Sequence, residues 1–250
     1  MKYLPVIFFW CLMSFSTIIV AQDNTLDLLS ANGKITITPI QHATMMLQHG
    51  DKVIFTDPNG GAGAFEGLPK PSLILITDIH GDHFNIETLR AIGAENIAII
   101  APDAVAKKLG GDFKEVTVMA NGDALEVQGV NLEAIPMYNL PDDETSRHPK
   151  GRGNGYILTM DKKRIYISGD TEDINEMREL KKIDLAFVCM NLPYTMDVDA
   201  AADAVIAFRP RMVVPYHYRG KNGLSDIKRF KTIVEESGTN VRVMLLNWYP

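Results

Sequence analysis

Apolar and polar residues alternate in the first part of the chain, which is typical of strands with one buried face. Residues 34–40 (Lys-Ile-Thr-Ile-Thr-Pro-Ile) show this alternation most clearly. Residues 44–48 and 52–56 follow, on either side of the turn His49-Gly50-Asp51, so this part predicts a meander of antiparallel strands. The apolar run at 72–76 (Ser-Leu-Ile-Leu-Ile) then predicts a buried strand.

The later part of the chain alternates short apolar runs with segments of helical spacing. Asn85 can cap a helix that ends at Gly93. The predicted strands are 97–100, 115–119, 124–127, 130–136, 156–160, 164–168, 183–190, 212–216 and 241–246, and the predicted helices are 86–92, 102–109, 173–180, 198–208 and 224–236. We expect the strands at 115–119, 124–127 and 130–136 to pair antiparallel in succession. Both halves carry a sheet and helices, which favours an α/β fold of two sheets packed face to face with helices outside.

The first 21 residues differ from the rest of the chain. Lys2 precedes an apolar run over residues 4–20, and the small residue Ala21 precedes a polar stretch. This is the layout of a secretory signal peptide, so we predict cleavage after Ala21, a periplasmic or extracellular location, and one mature domain over residues 22–250. An uncleaved anchor is the alternative, because the run approaches the ~20 residues of a membrane-spanning helix.

Composition narrows the class of protein. Hydrophobic residues make up 46% and charged residues 22% of the chain, as in ordinary folded proteins, which argues against disorder or a fibrous class. The net charge of -6 and the lack of a Lys/Arg run argue against a nucleic-acid partner. Cys189 is the one cysteine after residue 21, so the mature domain has no internal disulfide. Its apolar neighbours predict a buried strand residue.

Candidate chemistry is concentrated directly after the apolar run at 72–76. Four side chains able to bind a metal stand within six positions: Asp78, His80, Asp82 and His83. Later strands end in Asp170 and His217, and His148 lies in a long segment without periodicity, residues 138–155. Histidine and aspartate ligands without cysteine suit catalytic Zn, Fe or Mn.

The stretch from Asp78 to His83 resembles the His-x-His-x-Asp-His signature of the metallo-β-lactamase-fold hydrolases, with Asp78 at the first histidine position. The segments 40–43 (Ile-Gln-His-Ala), 56–58 (Thr-Asp-Pro), 169–171 (Gly-Asp-Thr) and 215–217 (Pro-Tyr-His) occur in the order that this superfamily uses. The pattern is most similar to the branch of ascorbate-6-phosphate lactonase and N-acylphosphatidylethanolamine phospholipase D. The resemblance implies a four-layer αββα sandwich, metallo-β-lactamase-like, across nearly the whole mature chain.

The resemblance also assigns the candidate ligands to two metal ions, with zinc expected and Mn or Fe as alternatives. The first ion would be bound by Asp78, His80 and His148, the second by Asp82, His83 and His217, and Asp170 would bridge the two. Asp82 and Asp170 are then the candidate catalytic residues. The metal-bound hydroxide of such a site is a nucleophile at neutral pH.

Asp78 departs from the signature, and this changes the charge of the site. Two divalent ions, three aspartates and one hydroxide sum formally to zero, whereas a histidine at position 78 would leave +1. A neutral centre attracts anionic substrates less. Alternatively, Asp78 binds no metal and only hydrogen-bonds a ligating histidine.

Further residues are candidates for supporting roles. In the resembled family the positions of His42 and Asp57 lie beside the metals and orient ligands. Tyr194 follows a strand end on the same face and could donate a hydrogen bond to an oxyanion, or pack under a loop. The basic residues of the long segment, Arg147, Lys150 and Arg152, could meet an anionic substrate or form a solvated face.

The leading functional hypothesis is an exported metal-dependent hydrolase that cleaves an ester, lactone, amide or phosphodiester bond. Its substrate would be a small molecule or a lipid-like molecule, with or without an anionic group. After signal cleavage, the protein itself would have no stable membrane span. A non-catalytic binding or sensing protein with a degraded metal site is the alternative, motivated by Asp78. A di-iron redox protein is a third hypothesis, although no flavodoxin-like domain supports it.

Overall fold

Two seven-stranded mixed sheets carry the metal-ligand candidates at one common rim. The structure, a computed structural model, describes residues 24–249, so the predicted signal peptide lies outside the described part of the chain. Within residues 24–249, no helix has both the length and the apolar character needed to cross a membrane.

The first sheet begins as the predicted meander and continues with parallel strands. Its strands, in spatial order, are β1 (Leu26–Ser30), β2 (Gly33–Gln41), β3 (Thr44–His49), β4 (Lys52–Thr56), β5 (Leu73–Leu75), β6 (Ala98–Ala101) and β7 (Val116–Val118). The pairs from β1 to β4 are antiparallel, and those from β4 to β7 are parallel.

The second sheet has an antiparallel part and a parallel part as well. Its strands are β8 (Ala124–Val127), β9 (Val130–Met137), β10 (Gly153–Met160), β11 (Lys163–Ile167), β12 (Leu185–Cys189), β13 (Met212–Tyr216) and, beyond a small hairpin of β14 (Arg219–Gly220) and β15 (Gly223–Leu224), β16 (Arg242–Val243). The strands β11, β12, β13 and β16 run parallel. Their carboxyl ends therefore meet at one edge, where loops from different strands can converge.

Helices cover the outer face of each sheet. They are α1 (Ile86–Ala91), α2 (Asp103–Leu109), α3 (Asn175–Arg178), α4 (Val198–Phe208) and α5 (Ile227–Glu236), with short 3₁₀ turns at Ala62–Phe65, Ala94–Asn96 and Gly110–Asp112. The Asn85 side chain accepts a hydrogen bond from the Thr88 amide, and Gly93 adopts a left-handed conformation after α1, both as predicted.

The layered architecture follows from the burial pattern, because successive strand residues point alternately into two apolar clusters. In β4, Ile54 packs into the cluster between the sheets, whereas Val53 and Phe55 pack into a second cluster with helices α1 and α2. Since β4 buries both faces, its sequence is wholly apolar at these positions. Helices α4 and α5 pack through Val205 and Phe230 against the cluster that also contains the second sheet. The four-layer αββα sandwich predicted from the sequence is confirmed.

Several details of the predicted elements are wrong. The strand β7 pairs parallel with β6 in the first sheet, so the predicted antiparallel pairing of 115–119 with 124–127 is wrong. The predicted antiparallel pairing of β8 with β9 is confirmed, in the second sheet. Apolar periodicity reports a buried face and contains no information about the partner strand. The helix predicted at 173–180 is limited to Asn175–Arg178, the strand at 241–246 is limited to Arg242–Val243, and β1 was not predicted.

Gly155 marks a close approach of backbones beside the site, and its replacement tests the packing. A Cβ atom there would lie 2.8 Å from the Ser168 carbonyl oxygen and 3.0 Å from that of Ile167. Because both contacts are backbone atoms, we expect Gly155→Ala to lower the free energy of unfolding by about 1–3 kcal/mol in urea titrations. Gly63→Ala, where a Cβ meets nothing within 4 Å, is the control and should change it by less than about 0.5 kcal/mol.

Candidate metal centre

The turn after β5 places four polar side chains close together. The amides of His83 and Phe84 donate to the His80 carbonyl oxygen, at 3.0 and 2.9 Å, which folds residues 80–84 into a tight turn. Asp78 and His83 are fully buried, whereas His80 and Asp82 remain partly exposed. The turn therefore spans from the interior of the rim to solvent.

Asp170, after β11, and His217, after β13, meet this turn from the second sheet. The His217 Nε2 atom lies 3.0 Å from His83 Nε2, 3.2 Å from Asp170 Oδ1 and 3.5 Å from Asp82 Oδ2. His83, Asp170 and His217 form one group whose ligand atoms all lie within 4.8 Å of one another. The structure thus brings together three candidate residues that are distant in sequence.

A second group lies on the other side of Asp170 and consists of Asp78, His80 and His148. The His80 Nδ1 atom lies 2.5 Å from Asp78 Oδ2, and His148 Nε2 lies 3.9 Å from the same oxygen. This group is the set that the family resemblance assigns to a first metal.

Asp170 joins the two groups. Its Oδ2 atom lies 3.2 Å from His148 Nε2 and 3.4 Å from His83 Nε2. Its side chain is almost completely buried, so water cannot replace these contacts. One carboxylate therefore stands where a bridge between two cations would stand.

His148 is oriented by Asn139, a residue that the sequence analysis did not identify. Asn139 Oδ1 accepts from the His148 amide at 2.8 Å and lies 3.1 Å from His148 Nδ1. The Asn139 amide nitrogen donates to the Tyr194 carbonyl oxygen at 2.8 Å. The long segment is thus attached to the rim by a buried amide side chain, and the His148 Nε2 atom points to Asp170.

The Asp57 carboxylate contacts the His83 ring. Asp57 Oδ2 lies 2.8 Å from His83 Nδ1, and it also accepts from the Thr77 hydroxyl at 2.6 Å. Asp57 Oδ1 accepts from the Thr77 amide at 2.7 Å. A carboxylate that holds one ring nitrogen fixes the tautomer and frees the other nitrogen for a metal.

His42 contacts the exposed side of the site. Its Nε2 atom lies 3.3 Å from Asp82 Oδ2, and its Nδ1 atom lies 2.8 Å from the Tyr249 hydroxyl. The His42 and His217 rings lie 4.0 Å apart between centroids. His42 therefore lies beside two candidate ligands, and with Asp82 and His217 it satisfies the geometry of a metal-binding group. Tyr249 was not identified from the sequence.

Three residues of the site have left-handed backbones. The φ angles of His42, Asp57 and His217 are 51°, 48° and 47°. This conformation is unfavourable for non-glycine residues and persists at functional sites where the surrounding structure imposes it. The His217 amide donates to the His42 carbonyl oxygen at 3.3 Å, which connects the two sheets at this point.

Arg152 contacts Asp78, and the sequence analysis did not predict this pair. Its Nη2 atom lies 3.2 Å from Asp78 Oδ1 and 3.3 Å from Oδ2. The other basic residues of the segment lie elsewhere: the Arg147 guanidinium stacks on Tyr194, and Lys150 donates to Glu176. The three basic residues therefore do not form one patch.

Tyr194 lies further from the ligands than the other predicted residues. Its ring faces Arg147, at 4.4 Å from the guanidinium carbon to the ring centroid, and its carbonyl oxygen supports Asn139. Among residues 24–249 no contact joins its hydroxyl to either group of ligands. Its role as an oxyanion donor stays a prediction.

Burial and the charges of neighbouring side chains shift the pKa values of the buried site residues. Burial raises the pKa of Asp170, but His217, His83 and His148 outweigh it and hold that pKa well below the usual range. Burial lowers the pKa of His83, but Asp170 and Asp57 outweigh it and raise that pKa well above 6.5. Burial lowers the pKa of His217 to about 3, and the charge on His83 adds to this effect. His83 therefore holds the proton of this histidine pair.

The donor set fits divalent metal ions. The buried His148 Nε2 and Asp170 Oδ1 atoms have no hydrogen-bond partner, although each lies beside other ligand atoms. Buried polar atoms without partners are costly, and convergent imidazole nitrogens and carboxylate oxygens acquire partners together when a cation lies between them. Without cysteine in the set, the ligands match catalytic zinc, manganese or iron sites.

The comparisons with known proteins agree with this geometry. Residues 36–217 match the model of the beta-lactamase superfamily domain. A UPF0173 metal-dependent hydrolase of Pyrococcus abyssi is 33% identical over 218 residues, which cover 82% of this chain and 93% of the relative. The chain belongs to the UPF0173 metal-dependent hydrolases of the metallo-β-lactamase superfamily. The prediction that the chain is a metal-dependent hydrolase of this superfamily is thus confirmed.

Solved structures carry the same fold. A Parabacteroides distasonis protein, assigned provisionally by name to the metal-dependent hydrolases, superposes with a TM-score of 0.79 at 37% identity, over 89% of this chain and 97% of that one. A metallo hydrolase of Ignicoccus hospitalis, 24% identical, superposes with a TM-score of 0.71 over 85% and 96% of the two chains, and it supports the fold alone. The narrower lactonase and phospholipase branch is not identified by these matches.

Replacing Asp57 tests whether it orients His83. Asp57→Asn keeps the size of the side chain but loses the charge that fixes the His83 ring, so we expect the affinity for zinc to fall about 10–100-fold. Competition with a chelator measures it. Asp103→Asn, on exposed helix α2, is the control and should leave the affinity unchanged. Equal affinities in both variants would show that Asp57 has no orienting role.

The raised pKa of His83 predicts proton release on metal binding. At pH 7 the metal-free protein holds a proton on His83, and a metal on Nε2 must displace it. We therefore expect release of about one proton from this pair, seen by calorimetry as a binding enthalpy that changes with the ionisation enthalpy of the buffer. A binding enthalpy independent of buffer would contradict the assignment.

Proposed function

We propose that this chain is an exported dinuclear metal hydrolase that cleaves an ester, lactone, amide or phosphodiester bond. The observation that carries the proposal is the Asp170 carboxylate, which touches His148 from one ligand group and His83 and His217 from the other. A single carboxylate between two histidine-rich groups is the arrangement that two metals about 3.5–4 Å apart require.

The ligand assignment follows the two groups. Asp78, His80 and His148 would hold one ion, Asp82, His83 and His217 the other, and Asp170 both. Zinc is the proposed metal, and manganese or iron are alternatives because three carboxylates favour harder ions. When bound, two such ions supply a hydroxide nucleophile at neutral pH and polarise the scissile bond.

The chain's own residues determine how a substrate reaches the site. The inner ligands Asp78, His83, His148 and His217 have no exposed surface, so water has no access from the interior side. The side chains of His42, His80 and Arg152 are about one-quarter exposed, and that of Asp82 is 38% exposed. A substrate would therefore approach across these residues. Asp57 and Asn139 keep His83 and His148 in place meanwhile.

The proposed substrate class and location are supported by the sequence and not by the geometry of the site. The resemblance to the lactonase and phospholipase branch suggests a small or lipid-like substrate with an anionic group. The signal-like residues 1–21 support export, with a mature chain from Gln22.

A substrate panel on the metal-loaded protein tests the proposal. The full chain, reconstituted in turn with Zn, Mn and Fe, should bind two metals and hydrolyse at least one class among esters, lactones, amides and phosphodiesters; its mass should show removal of residues 1–21 when it is isolated from its own cell. His83→Ala should lose one metal and reduce kcat at least about 10³-fold, since it removes a fully buried ligand of the second ion.

The control is His49→Ala, at the opposite end of β3, where the His49 ring contacts Lys34 and Asp161. It should keep both metals and full activity. Fewer than one metal per chain, or no hydrolysis of any class with any metal, would refute the proposed function. Unchanged turnover in His83→Ala would show that the site lies elsewhere.

A further inference from the structure

Among the lysine and arginine side chains of residues 24–249, Arg152 is the one that the structure brings into contact with the ligand groups. It lies at the departure from the family signature, because its partner is Asp78. The Arg152 Nη2 atom contacts both Asp78 oxygens and lies 3.5 Å from His80 Nδ1. The Arg152 charge therefore lies directly beside a candidate metal ligand.

The pair changes the formal charge of the site. Three aspartates, two divalent ions and one hydroxide sum to zero, and a fixed guanidinium beside Asp78 brings the sum to +1. A neutral histidine at position 78 without an arginine would give the same +1. The Asp78 side chain is fully buried, and Arg152 is the cation in contact with its carboxylate apart from the neighbouring histidines. Asp78 and Arg152 together thus have the charge of the histidine that the signature contains.

Arg152 also retains hydrogen-bonding capacity. All of its side-chain hydrogen bonds with the described residues are made by Nη2. Its Nε atom is buried and has no partner. Its side chain is 23% exposed, on the same side as His80, where a substrate would enter. A guanidinium held at one end by a carboxylate can present its remaining N–H groups to a carboxylate or phosphate.

We propose that Arg152 is a specificity-determining residue that restores the positive charge removed by Asp78 and binds an anionic group of the substrate, a carboxylate or a phosphate, beside His80. The inference rests on the proposed dinuclear hydrolase and specifies its substrate class. Arg147 and Lys150 do not share this role, because Arg147 stacks on Tyr194 and Lys150 pairs with Glu176.

Inorganic phosphate is the probe, and its binding to the zinc-loaded full chain is measured by calorimetry without any turnover. Arg152→Gln should keep two metals per chain and weaken phosphate binding about tenfold or more, because one screened positive charge beside the anion is lost. Arg152→Lys keeps the charge and should lose less than Arg152→Gln. The matched control, Arg147→Gln in the same segment, should bind phosphate as the unaltered protein does.

Variants of Asp78 provide a second set of measurements in the same experiment. Asp78→His alone raises the formal charge to +2 and should tighten phosphate binding, whereas the double variant Asp78→His/Arg152→Gln returns to +1 and should bind near the original affinity. Affinity should thus follow the charge of the centre, and the differences should shrink at high ionic strength. If the Asp78 variants fail to fold, the comparison of Arg152→Gln, Arg152→Lys and Arg147→Gln decides alone.

Three results would overturn the inference: no phosphate binding by the unaltered zinc-loaded protein, unchanged phosphate affinity in Arg152→Gln, or loss of metal from Arg152→Gln. The last result would mean that Arg152 only holds Asp78 in position. The proposed function fails separately, because a protein that binds phosphate through Arg152 but hydrolyses no substrate class would refute hydrolysis and leave the anion site intact.

Discussion

The structure depends on the burial of five ionisable side chains in one small volume. Asp78, His83, His148 and His217 are fully buried, and Asp170 is 3% exposed. Two carboxylates and three imidazoles removed from water cannot be accommodated by hydrophobic packing, and their mutual contacts leave ligand atoms without hydrogen bonds. A positive charge in the middle of the group would stabilise the buried carboxylates and give the free ligand atoms a partner. A metal ion supplies that charge fully, whereas a single shared proton supplies it only in part.

The surrounding elements make this burial possible. The parallel strands of each sheet end at one rim, so the side chains that follow β5, β11 and β13 arrive there without long connections. Residues outside the ligand set then determine the orientation of the rings: Asp57 and Thr77 at His83, and Asn139 at His148. The left-handed backbones of His42, Asp57 and His217 cost about 1–3 kcal/mol each, which sheet packing elsewhere must offset.

Sequence alone was sufficient for what is local or repeated, and insufficient for what depends on distant partners. The strands from 34 to 76 and helix α4 follow directly from apolar spacing, and the Asp82-His83 pair is recognisable from its motif. The partner of β7 was assigned wrongly because periodicity reports burial and not pairing. Asn139, Arg152 and Tyr249 were not placed beside the ligands, because single polar residues in irregular segments carry no pattern; only the three-dimensional path of residues 138–152 brings two of them to the rim. Arg152 was noted as basic, but its pairing with Asp78 depends on contact over 74 positions.

The bridging position of Asp170 has a mechanical consequence. Asp78, His80 and His83 belong to the first sheet, whereas His148, Asp170 and His217 belong to the second. In the proposed centre, an ion held by residues of both would fasten the sheets together at the rim, while the apolar layer between them holds them over the rest of their area. The two sheets would then open at this edge only together with loss of the ion. Amide exchange at the ends of β5, β11 and β13, compared with and without metal, would therefore report the occupancy of the centre.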